Sequence, residues 1–153
     1  MGYARASTHA DRTGSIQTGE IAVQTRVKPF LMFEGKAEEA MSFYVSLFRD
    51  GEIIDIVRYG PGQPGAEGSV MTANFSVGGQ TVMCIDSPVK HNFTFTPAFS
   101  LFVDCESEED LRRLCSALAE GGATFMPLGA YGFSRQFAWI ADRYGVSWQL
   151  NLP

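Results

Sequence analysis

Three neutral hydrogen-bonding side chains stand at every second position near the end of the chain: Ser147, Gln149 and Asn151. Apolar Val146, Trp148, Leu150 and Leu152 alternate with them. An extended backbone sends alternate residues to opposite faces. The run therefore predicts a strand with one face on a core and the other lining a cleft. A serine hydroxyl or a carboxamide can orient a ligand, and the Gln149 carbonyl can lend one neutral oxygen to a metal. None of them is a strong base. Titratable chemistry is sparse: the chain has two histidines, and His9 lies in a polar N-terminal stretch. Imidazole is the side chain suited to proton transfer near neutral pH, so His91 is the one weak catalytic candidate. Its plainer reading is a solvated loop histidine. Arg58 and Arg135 have the fork geometry to grip an anion, with a surface role as the plainer reading, and Tyr59 could reach a cleft mouth from a strand end. Cys84, Cys105 and Cys115 are odd in number and lack CxxC spacing, so they read as reduced, mostly buried thiols.

The 153 residues suit one domain or two small fused halves, and 45% are apolar, enough for a core. A net charge of -5 argues against a nucleic-acid or acidic-membrane partner. No run approaches the roughly 18 apolar residues of a membrane span. No apolar signal core opens the chain, so a cytoplasmic location is expected.

The elements that would position these groups recur in the same order twice. Residues 1–26 form a polar leader, in which Glu20 to Val27 (EIAVQTRV) alternates enough to permit an extra strand. Residues 27–90 form a first module. PFLMF (Pro29 to Phe33) predicts a strand. Ala37, Ala40, Met41, Tyr44, Leu47 and Phe48 recur at helical spacing over Ala37 to Phe48. Strands follow at Glu52 to Tyr59, Ser69 to Val77 and Gln80 to Asp86, the last two joined by a Gly78-Gly79 hairpin turn. Gly60 to Gly68 reads as a flexible loop. Residues 91–153 form a second module. It has a strand at Ala98 to Asp104 and a helix capped by Ser107, with Asp110 in capping-box position. Leu111, Leu114, Cys115 and Leu118 form the stripe of that helix, and Gly121-Gly122 ends it. Strands near Ala123 to Pro127 and Ser134 to Ile140 precede the terminal one. The order is βαβββ twice, an α+β class: two modules forming a curved mixed sheet around a cleft, helices outside.

Face parity then assigns side chains. Ser100 and Phe102 should face the cleft, and Phe99, Leu101 and Val103 the helix. Thr81, Met83 and Ile85 should face the cleft, and Val82 and Cys84 the helix. Leu31 and Phe33 are placed with the cleft's apolar lining. The expected ligand-binding set is Leu31, Phe33, Thr81, Met83, Ser100, Phe102, Ser147, Gln149 and Asn151.

The stretches PFLMFEGKAEEAMSFYVSLF, RYGPGQPG, GGQ, FTFTPAFSLFVDCESEEDL and DRYGVSWQ resemble the vicinal-oxygen-chelate superfamily of glyoxalases, bleomycin-resistance proteins and extradiol dioxygenases. Within it they are similar to the PhnB-like, demethylubiquinone methyltransferase-like branch. The resemblance covers residues 27 to 153. GYARAST, by contrast, is similar over seven residues to the first strand of serine recombinases, with Ser7 as nucleophile, and nothing downstream supports it. Metalloenzymes of the superfamily carry ligands at positions that fall here on Pro29, Met83, Ala98 and Gln149. Two of these have no side-chain donor, one is a soft thioether and one a neutral amide, so no metal site and no cofactor are expected. A methyl-donor cofactor with an adenosine moiety would need a Gly-rich turn between a strand and a helix, and the glycine clusters here sit elsewhere. Sequence and resemblance together lead to a metal-free, glyoxalase-like protein. It is expected to bind a small, mostly apolar molecule, in the manner of sequestration or resistance proteins. An atypical superfamily enzyme and an interaction module with a self-filled cleft stay open. A homodimer is expected, since symmetric pairing is the commonest assembly.

Overall fold

The computed structural model of the protein describes residues 24–153. Ser7 and the first part of the expected leader strand lie outside the described residues, and residues 24–29 form no regular element. The element order is β1 (Phe30–Phe33), α1 (Ala37–Leu47), β2 (Glu52–Arg58), β3 (Val70–Val77), β4 (Gln80–Asp86), β5 (Ser100–Asp104), α2 (Glu108–Ala119), β6 (Ala123–Gly129), β7 (Gln136–Ala141) and β8 (Ser147–Leu152). The sequence pattern predicts this βαβββ repeat. Each module builds its own four-stranded mixed sheet, with orders β1-β4-β3-β2 and β5-β8-β7-β6. In each the first strand runs parallel to the last and the other pairings are antiparallel.

In the first module α1 buries Ala37, Ala40, Met41 and Tyr44, the residues at helical spacing. They pack on Ala73, Phe75, Val82 and Cys84, which β3 and β4 send to the same side. Asp86 is buried at the end of β4. Its carboxylate accepts from the amides of Gly35, Ala37 and Val70 at 2.7, 3.0 and 3.0 Å. It thereby satisfies the first turn of α1 and ties the β1–α1 turn to β3. Gly78 and Gly79 both have positive φ, 54° and 79°, as a type I′ hairpin demands. The Asp50 carboxylate accepts both of their amides at 2.9 and 2.8 Å. The loop from Gly60 to Gly68 is tied down: Tyr59 and Gly68 bond across its base, and Gly65 lies so close to the Tyr59 ring that a Cβ would clash.

In the second module Ser107 caps α2, its hydroxyl accepting from the Asp110 amide at 3.1 Å. The return bond differs from the expected box: the Asp110 carboxylate accepts from the Glu106 amide, at 3.4 Å. Leu111, Leu114 and Leu118 are buried as the stripe requires.

Contacts between the modules run through their helix sides. Tyr44 of α1 packs on Trp148 of β8 with ring centroids 5.3 Å apart, and Phe48 stacks on the same indole at 6.2 Å. Arg113 of α2 donates to the Leu47 carbonyl at the end of α1, at 2.9 Å. One continuous core therefore holds both halves. At its centre the buried Asp142 carboxylate accepts from the Tyr44 hydroxyl at 2.7 Å, the Trp148 indole at 2.9 Å and the amides of Tyr144 and Val146. A buried carboxylate demands such pairing. Burial and the Asp142 charge in turn push the Tyr44 phenol far above its ordinary range. Among the described residues, the opposite face of each sheet carries no helix.

Candidate functional site

The open face of the second sheet gathers the neutral polar row. The register pairs Ser100 with Ser147 and Phe102 with Gln149 on adjacent parallel strands, and Trp139 with Gln149 on the other side of β8. The Ser100 and Ser147 hydroxyls are 2.7 Å apart. The Gln149 amide donates to the Ser100 hydroxyl at 3.2 Å, and the Trp139 indole to that of Ser147 at 2.9 Å. Ser147 is only 2% exposed and holds its neighbours in place. Ser100 and Gln149 remain half-exposed. Asn151 is spent internally, its amide donating to Asp104 at 2.9 Å and its carbonyl oxygen accepting from Ser134. Aromatic rings flank the row. Phe102 is 56% exposed and packs at 6.4 Å on Phe137, which Phe133 meets edge-on at 5.0 Å. Phe125 lies against Trp139 at 5.1 Å.

On the first sheet Thr81, Met83 and Ile85 are half-exposed on the open face, opposite buried Val82 and Cys84, as parity predicts. Leu31 and Phe33 are corrected. The parallel register sets Leu31 beside Cys84 and Phe30 beside Met83, so Leu31 and Phe33 point into the core and Phe30 and Met32 lie on the open side. Phe33 packs on Phe95 and Tyr144 at 5.3 and 6.3 Å. Phe99 is corrected too. The strand starts at Ser100, and Phe99 sits exposed in the turn before it. Sequence reading missed Asn74, which accepts from Lys28 and donates to Asp55 on the open face. The signal was available in the alternation of Thr72, Asn74 and Ser76 with Ala73, Phe75 and Val77. Among the described residues no side-chain hydrogen bond joins Thr81 or Met83 to the Ser100–Gln149 row.

Among the described residues, cavities lie where the modules meet, and two of them bear on the candidate residues. One, of about 930 Å3, runs beside β5 and takes in Ser100 and Phe102 together with Phe99, Leu101 and Val82. The other, of about 590 Å3, is lined by His91 and shares no residue with the first. His91 has Nε2 at 2.7 Å from the Ser87 hydroxyl and packs tilted against Phe93 at 4.8 Å. It is thus separate from the polar row. Arg58 grips Glu38 through both terminal guanidinium nitrogens, one at 2.8 Å, and that pairing holds the Glu38 carboxyl below its usual value. Arg135 donates to the Pro153 carbonyl at 2.8 Å. Tyr59 is buried with its hydroxyl on the Asp86 carbonyl.

The superfamily's metal does not fit these residues. The Pro29 carbonyl already accepts the Met83 amide at 2.9 Å, Ala98 offers no donor, and Gln149 is turned to Ser100. Among the described residues no three His, Cys, Asp or Glu side chains converge as a metal group. The thiols are equally unsuited to nucleophilic work. Burial, helped by Asp86, pushes Cys84 up to about 12, and burial pushes Cys105 up to about 11 and Cys115 above its ordinary value.

Among known proteins, the sequence profile of the 3-demethylubiquinone-9 3-methyltransferase family matches residues 25–151. The PhnB protein of Bacillus cereus, which carries that family's name, is 57% identical over 84% of this chain and 100% of its own, with a TM-score of 0.82. A protein from Pseudomonas aeruginosa is 30% identical over 84% of this chain and 98% of its own, with a TM-score of 0.74. A fosfomycin resistance protein of Listeria monocytogenes, 11% identical over 86% of this chain and 95% of its own at a TM-score of 0.54, shares the fold alone. No curated protein matches the chain. The profile match, the Bacillus relative and the doubled βαβββ architecture agree: this chain belongs to the 3-demethylubiquinone-9 3-methyltransferase family, the PhnB-like branch of the vicinal-oxygen-chelate superfamily.

Proposed function

We propose that this protein binds a small, mostly apolar molecule against the open face of its second sheet, without a metal, and sequesters it. The observation that carries this reading is the neutral row of Ser100, Ser147 and Gln149, flanked by Phe102, Phe125 and Trp139. Aromatic walls with one or two fixed polar groups suit such a ligand. The row offers hydrogen bonds to a carbonyl or hydroxyl handle and contains no acid–base pair. Methyl transfer, which the family name describes, gains no support from the chain. Its Gly78-Gly79 pair joins two strands, and Gly121-Gly122 follows a helix; neither turns a strand into a helix around a cofactor. A homodimer completes the site in this reading, a second copy covering the exposed rings of the open faces.

The test is a fluorescence and calorimetric screen of uncharged apolar compounds, with elemental analysis of the same preparation. Saturable binding without turnover is expected. Gln149→Ala, which removes the half-exposed carboxamide of the row, should weaken it about tenfold. One bound transition metal per chain, released by the same substitution, would overturn the metal-free reading. Turnover of a ligand would overturn sequestration.

A further inference from the structure

The 590 Å3 cavity lies outside the site described above and is unlike it, because its lining is aromatic and charged. Phe30 of β1 and Phe93 of the segment joining the modules are 51% and 63% exposed, beside half-buried Phe95. Large exposed rings that converge on a concavity mark a binding surface. The charges divide by wall. The β1–α1 side carries Glu34, Lys36 and Glu39. Lys36 and Glu39 pair with each other at 3.7 Å, and Glu39 also accepts from the Tyr144 hydroxyl at 2.8 Å. That leaves Glu34 as the net charge of this wall. Its Oε1 accepts the His91 amide at 2.8 Å, which anchors the carboxylate at the rim. The β7–β8 turn supplies Arg143, whose guanidinium rests over the Phe43 ring at 4.4 Å. Among the described residues no carboxylate lies within ion-pair distance of Arg143. One carboxylate and one guanidinium, neither in an ion pair among the described residues, thus line an aromatic cavity from different elements.

From this arrangement we infer a second ligand site, specific for a small aromatic zwitterion of the amino-acid type. Its ring packs among Phe30, Phe93 and Phe95. Its ammonium meets Glu34 and its carboxylate meets Arg143, where guanidinium and carboxylate form charge-assisted bonds. A singly charged aromatic satisfies one wall and leaves the other without a partner. An aliphatic zwitterion loses the ring contacts.

Isothermal titration with L-phenylalanine, benzoate, 2-phenylethylamine and L-alanine tests this on the intact protein. Phenylalanine should bind saturably and at least about tenfold more tightly than each of the other three. Arg143→Gln should erase its advantage over phenylethylamine, and Glu34→Gln its advantage over benzoate. Both residues are exposed, so circular dichroism and Tm should be unchanged. Gln149→Ala should leave phenylalanine binding intact, which separates this site from the one on the second sheet. Absence of saturable binding, equal affinity for the singly charged analogues, or indifference to both charge substitutions would each overturn the assignment.

Discussion

Single side chains carry two of this protein's sharpest energetic commitments. The first is Asp142, buried and bonded to Tyr44 and Trp148. Removing one donor leaves a buried carboxylate short of a partner, which is costlier than the bond itself. Tyr44→Phe should therefore lower unfolding stability by about 2 kcal/mol in urea titrations. The second is the set of buried thiols. In the unfolded chain Cys84 and Cys105 return to the 9.0 of a free thiol, while the folded values are about 12 and 11. Between those limits the folded state holds more protons than the unfolded one, so stability falls as pH rises. Urea midpoints should drop from pH 8.5 to pH 10.5, and Cys84→Ala should flatten that slope.

Elements show how much the sequence discloses and where it stops. Both helices were legible because their stripes recur at helical spacing and Ser107 and Gly121 mark the limits of α2. Ser107→Ala should cost about 1 kcal/mol, read as a fall in Tm. The Gly78-Gly79 turn was legible because only a hairpin needs two adjacent positive φ values. That Asp50 would clasp it was not, since Asp50 is 28 residues away from Gly78. The Gly78 and Gly79 amides hold the Asp50 carboxyl below its ordinary value. The clasp is therefore present above the usual carboxylate range and is lost as pH falls through the depressed value. Amide exchange at Gly78 and Gly79 should accelerate in Asp50→Ala. Strand faces were read correctly in β8, where polar and apolar residues alternate, and in β4, where the polar Gln80 and Thr81 at the strand's start set the count. They were misread in β1, because FLMF is apolar at every position and only the register with β4 decides which residues turn inward. Ser100, Ser147 and Gln149 of the candidate polar row followed from parity alone. The bond from Trp139 to Ser147 needed the β7–β8 register.

At the scale of the whole molecule, the modules are joined through their helix sides while the opposite sheet faces stay half-exposed. Such faces, with rings such as Phe30, Phe102 and Phe125 on them, are apolar enough to associate. Sedimentation equilibrium should find a dimer, and Phe102→Asp should shift it toward monomer. Deleting residues 1–20 tests whether the leader adds to that contact; an unchanged association constant would remove it from the interface.

The two tryptophans occupy opposite situations. Trp148 is 1% exposed between Tyr44 and Phe48, while Trp139 is half-exposed beside Gln149. They make the protein its own two-colour dye. Acrylamide should extinguish the redder emission of Trp139 and leave the bluer light of Trp148 until the halves come apart.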